Sequence, residues 1–189
     1  MAKSAIQVLT TPHESAVEAS RQVALVVGAS LFVALCARIT IPLLPLTPVP
    51  LTVQNFGVLL VGLLLGSRRG FAAMMLYLIE GMVGLPVFNP LGPGGVAQLF
   101  GITGGFLLAY PFVAFVAGYI FEKGGKSFVR AIIAGTLAET VLFLGGLSWL
   151  FIFTHSFKAA YVFLPAEILK IALAATIAVG WRRALKRQN

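Results

Sequence analysis

The sequence predicts an all-α integral membrane protein with six transmembrane helices, and three observations carry that prediction. Of its 189 residues, 59% are apolar and only 11% are charged, against roughly 45–50% and about 25% in soluble domains. The charges sit in short clusters between long apolar runs. These clusters fall on alternate connections, which orients the runs. The same figures exclude a disordered chain, a collagen, a coiled coil and a disulfide-stapled module. Cys36 is the one cysteine, so no internal bridge is available. A net charge of +8 suits a nucleic-acid binder only when it covers one open face. Here it does not, and no nucleic-acid partner is expected.

A hydrocarbon core about 30 Å thick takes about 20 helical residues. Six runs qualify: 22–41, 52–66, 71–85, 102–121, 128–151 and 161–181. The second and third are short. With the turn Ser67-Arg68-Arg69-Gly70 between them they read as a tight helical hairpin, or else one of them is a re-entrant segment. Lys3 and Arg21 precede the first run, and Arg68 and Arg69 join the second and third. Lys123, Lys126 and Arg130 flank the link from fourth to fifth, and Arg182, Arg183, Lys186 and Arg187 follow the sixth. Eleven of the 14 Lys and Arg residues thus lie on one side. Positive residues mark the cytoplasmic side of short loops. The expected organisation is a cytoplasmic tail or interfacial helix over 1–21, a membrane domain over 22–181 and a basic cytoplasmic tail over 182–189. Residues 1–20 lack the apolar core of a signal peptide.

Proline placement is the next signal. Pro42, Pro45, Pro48 and Pro50 follow the first run, Pro86, Pro90 and Pro93 follow the third, and Pro165 stands near the start of the sixth. All eight fall toward the face opposite the cation clusters. Proline fixes φ and removes a donor, so stiff, non-helical segments are expected there. Gly92, Gly94, Gly95, Gly101, Gly104 and Gly105 add permissive turns. Irregular backbone near a membrane needs protein or water to satisfy it. Either these prolines only end helices, or two rigid loops cap a cavity on the outer face.

A charge near a transmembrane helix centre costs about 2.5–3.5 kcal/mol on insertion scales. Glu167 and Lys170, three residues apart, share one helical face. Either they neutralise each other, or their heads diverge to hold opposite ends of a polar, anionic molecule. Glu139 stands alone beside Thr136 and Thr140, as a neutral carboxyl bonded between helices or a proton-coupling group. Glu80 is placed to pair with Arg38 across the bundle. Thr52, Gln54 and Asn55 open the second run and Asn89 lies in the proline-rich loop, where amides can read a polar ring. Phe106, Tyr110, Trp149 and Tyr161 form an interfacial belt, with Trp149 alternatively an apolar wall. His155 and His13 have no metal-ligand spacing, so no metal is expected. There is no G-x-x-x-x-G-K-[ST], G-x-S-x-G or H-E-x-x-H motif. Uphill movement of a solute would need energy from a partner or an ion gradient.

Five segments together resemble the BioY family: Pro48-Val49-Pro50-Leu51-Thr52-Val53-Gln54, Gly62-Leu63-Leu64-Leu65-Gly66, Gly84-Leu85-Pro86-Val87-Phe88, Gly101-Ile102-Thr103-Gly104-Gly105-Phe106 and Leu164-Pro165-Ala166-Glu167-Ile168-Leu169-Lys170. They keep the family's order and spacing over approximately 22–181. The family comprises biotin-binding S components of energy-coupling factor (ECF) vitamin transporters. The resemblance therefore implies an S-component-like bundle that binds biotin under an outer-face loop cap between the first two helices. Three positions depart from the family pattern. Glu167 stands where an Asp is usual, and Ile102 and Phe106 replace the proline and tyrosine of a G-P-T-G-G-Y motif.

On this resemblance, Glu167 and Asn89 take the ureido group of biotin and Lys170 takes its carboxylate. Gln54 and Tyr110 add polar contacts, and Trp149, Phe88 and Phe106 are apolar walls. Biotin is the ligand and no cofactor is expected. The implied partners are a transmembrane T subunit and two ATPases, which supply the missing P-loop. The small residues of the first run, Ala24 and Gly28 on one stripe and Ser30, Ala34 and Ala37 on another, either dock that subunit or pack internally. Two other readings compete: an S component for another vitamin, and a membrane-embedded enzyme using Glu139 or Glu167 as general acid or base.

Overall fold

A computed structural model describes residues 12–124 and 127–188, with the side chains of 16–124 and 127–185. Lys3, Lys126, the first eleven residues of the expected tail and the side chains of Lys186 and Arg187 lie outside the described set. Among the described residues, seven helices follow one another: α1 (Pro12–Arg38), α2 (Gln54–Leu65), α3 (Ser67–Met82), α4 (Gly95–Phe100), α5 (Gly104–Glu122), α6 (Phe128–Thr154) and α7 (Lys158–Gln188). Six correspond to the expected runs. α1 and α7 continue without a break across residues 21 and 182, with no proline at either point. Four helices are long and apolar enough to cross a membrane: α1 from Ala16, α5, α6 and α7 as far as Leu185. At 1.5 Å per residue, the 12 residues of α2 rise only about 18 Å and the 16 of α3 about 24 Å.

The short α2 creates the space that matters. It starts at Gln54 and Asn55, both buried, so its N-terminus lies inside the protein. The chain between α1 and α2 supplies a two-residue antiparallel ladder instead of a helix, β1 (Thr40–Ile41) with β2 (Leu51–Thr52). Val53 N extends it by donating to Ile39 O at 3.0 Å. The four prolines between and beside these strands prevent a longer helix. Val49 of this loop packs with Leu150, Ala159 and Phe163 in a small apolar cluster separate from the main core.

The proline-rich segment after α3 is not wholly irregular, contrary to expectation. Past Pro93, the residues Val96–Phe100 hold no proline, and α4 forms there. Gly94 and Gly95 lead into it at φ 71° and 58°, a left-handed conformation that favours glycine. Pro165 is a second correction, because it lies inside α7. Transmembrane helices tolerate proline where neighbours satisfy the freed backbone groups. His155 has a structural position: at φ 48° and ψ 31° it caps α6, its N–H donating to Phe151 O.

α5 is the central helix, packed against α6, α3 and α2. Close approach depends on small residues. A Cβ on Gly62 would stand 3.0 Å from Ala114 Cα. The other end of the bundle is tied by polar links between helix ends. Ser67 Oγ donates to Glu122 Oε2 at 2.8 Å, Arg130 Nε to Ile120 O at 2.7 Å, and Arg182 Nη2 to Leu64 O at 3.2 Å.

Candidate functional site

At the end of the bundle away from the cation clusters lies a cavity of about 540 Å³, its open mouth included. Ligand pockets are mostly apolar, with a few polar anchors. The loop between α1 and α2 contributes Val49, Pro50, Leu51 and Thr52, and α2 contributes Gln54 and Asn55. Asn89 and Gln98 come from the segment after α3, and Phe106 and Tyr110 from α5. Leu142 and Phe143 of α6 and Phe163, Glu167 and Lys170 of α7 complete the wall. Phe106 stands edge-on to Phe163, with ring centroids 6.2 Å apart. The loop between α1 and α2 thus forms part of the cavity wall.

Its polar groups form two sets. In the first, Lys170 Nζ and Glu167 Oε1 are 2.8 Å apart. The two heads converge, so of the two arrangements the sequence allowed the ion pair is the one present, on one cavity wall. Asn55 Nδ2 donates to Glu167 Oε2 at 2.6 Å and to Glu139 Oε1 at 2.9 Å. Glu139 is thus not alone, and Thr140 Oγ1 turns away from it to Thr136 O. In the second set, Gln54 Nε2 donates to Tyr77 Oη at 2.7 Å, and that hydroxyl donates to Val87 O at 2.9 Å. Asn89 Oδ1 accepts from Leu91 N at 2.8 Å, which presents Nδ2 as the donor of that amide.

Six of the eight expected ligand residues line the cavity: Glu167, Lys170, Asn89, Gln54, Tyr110 and Phe106. Trp149 and Phe88 do not. Trp149 packs across Gly104 and Gly105, and its Nε1 donates to Gly101 O at 2.9 Å. A glycine pair opposite an indole leaves a slot that the ring fills, so it faces the start of α5 rather than the cavity. Phe88 packs edge-on against Tyr77 at 5.4 Å and borders a second, neighbouring cavity. Gln98 and Phe163 also line the cavity without having been expected there, whereas Asn55, singled out with Thr52 and Gln54 at the opening of the second run, does line it. The Asn55 amide, polar at the opening of an apolar run, was the legible signal.

Two further expectations change. Arg38 does not pair with Glu80. It donates to Phe88 O at 2.9 Å and to Pro86 O, and Glu80 accepts from Ser30 Oγ. Ser30 lies eight residues before Arg38, about 12 Å lower on the helix, and Glu80 is level with Ser30. Of the docking stripes, Ser30 is fully buried and Ala34 packs against the core, so both serve internal packing. Ala24 and Gly28 are exposed, and a side chain built on Gly28 would meet nothing within 4 Å. Among the described residues, no three His, Cys, Asp or Glu side chains gather as a metal site.

The family model described as the BioY family matches residues 6–187. The chain belongs to the BioY family. A probable biotin transporter BioY of Pyrococcus horikoshii is 38% identical over 136 residues, covering 69% of this chain and 79% of that protein. The biotin transporter BioY of Rhizobium etli is 36% identical over 146 residues, covering 69% and 76%. The fold is similar to a crystal structure of the S-component for biotin from an ECF-type ABC transporter. There the TM-score is 0.78 at 25% identity, with 88% of this chain and 93% of that chain covered. This BioY-family chain is a multi-pass membrane protein of the transporter class, and its relatives are named transporters rather than enzymes.

Proposed function

We propose that this protein is a high-affinity biotin-binding membrane component for vitamin uptake. The observation that carries the reading is the juxtaposition of Glu167, Lys170 and Asn89 on one cavity in a BioY-family fold. Biotin matches these groups. Its ureido ring has two N–H donors and a carbonyl acceptor, its fused ring and chain are apolar, and its tail is a carboxylate. Glu167 accepts from a ureido N–H, and Asn89 Nδ2 donates to the ureido carbonyl. Lys170 has three donors, one of which meets Glu167. The others serve the carboxylate, directly or through water. Gln54 and Tyr110 line the polar rim, and Phe106 and Phe163 flank the ring system.

The chain lies in the membrane with both termini cytoplasmic, because the cation-rich end then faces inward. The α2–α3 pair completes a six-helix span, with the cavity toward the outside. Movement of bound biotin is energised by two ATPases through a transmembrane T subunit, which docks on the exposed Ala24–Gly28 stripe of α1. Fusions that report on each chain end test the orientation, and an outward-facing terminus would overturn it.

Equilibrium binding to the purified protein tests the substrate. Biotin saturates a single site, and unlabelled thiamine or riboflavin does not displace it. Displacement by either vitamin, or no saturable biotin binding, would contradict the proposal.

A further inference from the structure

Glu139 lies outside the cavity wall, behind Asn55, one helical turn before Leu142 and Phe143 of α6. It is only 3% exposed. Its Oε1 accepts from Asn55 Nδ2, but Glu139 Oε2 and Asn55 Oδ1 are both buried without a partner. Glu167 differs, since Lys170 Nζ engages one oxygen and Asn55 Nδ2 the other. The groups around Glu139 can be named element by element. α7 presents Glu167 and Lys170, α5 presents the Tyr110 phenol, and α2 presents the uncharged Asn55 amide.

Two carboxyls therefore share one ammonium, and that ammonium is committed to Glu167. An ionised Glu139 would be a second buried negative charge with one bare oxygen and no cation, the most costly arrangement for a carboxyl in a membrane protein. A proton on Oε2 removes the charge. It also turns an orphaned acceptor into a donor, and the other orphan of the same bonded pair, Asn55 Oδ1, is an acceptor. Both Asn55 N–H bonds then remain directed at carboxyl oxygens, one of them holding Glu167 against the cavity.

We infer that Glu139 is a proton-holding positioning residue: it carries one proton at neutral pH and, through Asn55, orients the ionised Glu167 toward the ligand. The effect on ligand rests on the biotin-site reading above, whereas the proton does not. The test uses the full chain and two measurements. Infrared spectra of ligand-free wild type, Glu139→Gln and Glu167→Gln are compared first. The expected result is a protonated-carboxyl C=O band in wild type that is lost in Glu139→Gln, whereas Glu167→Gln frees Lys170 and so weakens the band or leaves it. A wild type without that band, or a band lost in Glu167→Gln and kept in Glu139→Gln, would overturn the assignment.

Biotin titration comes second. Glu139→Gln, a neutral replacement for a neutral acid, binds within about threefold of wild type, and Glu139→Ala weakens binding about tenfold. A tenfold loss in Glu139→Gln would show that the charge is needed and refute the inference. If wild type fails to bind biotin while the band behaves as expected, the substrate reading falls and the proton assignment stands.

Discussion

At the cation-rich end, Arg130 and Arg182 donate to backbone carbonyls and Ser67 to Glu122, each link joining two helix ends. In the cavity wall, Lys170 meets Glu167, Asn55 meets Glu167 and Glu139, and Gln54 meets Tyr77, while Asn89 and Gln98 accept from backbone N–H groups. The first pattern closes the bundle. The second holds amides and an ion pair in fixed positions while Lys170 and Asn89 still line open space. Both ends belong to the same helices, so the difference comes from the connections. Charged, compact turns join the helices at one end, and long segments rich in proline and glycine join them at the other. A binding site needs the second kind.

Substitutions at the two ends should separate accordingly. The largest effect is expected from Lys170→Ala, which removes the ligand's cation and leaves Glu167 charged without it. Hydrogen bonds to charged groups are worth about 1.5–3 kcal/mol, so calorimetry should find biotin affinity lower by roughly 10- to 150-fold. Asn89→Ala removes a neutral donor worth about 0.5–1.5 kcal/mol, and a loss of about three- to tenfold is expected in the same titration.

Trp149→Phe deletes the bond to Gly101 O and part of the ring that fills the slot at Gly104 and Gly105. Biotin affinity should move by less than about twofold, with stability to denaturant lower by about 1 kcal/mol. A tenfold affinity loss would put Trp149 back on the ligand. At the opposite end, Ser67→Ala should cost about 1 kcal/mol of stability and leave affinity unchanged. Gly28→Leu should also leave biotin binding unchanged, because the added side chain meets open space. Co-purification with the T subunit should be lost in that variant, and a retained complex would remove the Ala24–Gly28 stripe from the docking surface.

Helix positions were legible because hydropathy and charge vary on the scale of a span, and Glu167 with Lys170 was legible because a shared helical face is a local property. Contacts between distant helices were not. Asn55 and Glu139 are 84 positions apart in sequence, and nothing in either run says which face meets which. Trp149 shows the same gap. Its place near a helix end was readable, but its direction is set by Gly104 and Gly105 on another helix. The α4 helix was hidden among prolines and glycines, and the β1–β2 ladder is too short to leave an alternating pattern.

The central claim is that the cavity under the α1–α2 loop holds biotin between an acid and a base of α7. A structure of the protein with biotin bound tests this most directly. The account expects the ureido group at Glu167 and Asn89, the fused ring between Phe106 and Phe163, and the carboxylate toward Lys170. Biotin seated instead in the neighbouring cavity beside Arg38, or bound with no contact to Glu167 or Lys170, would contradict it.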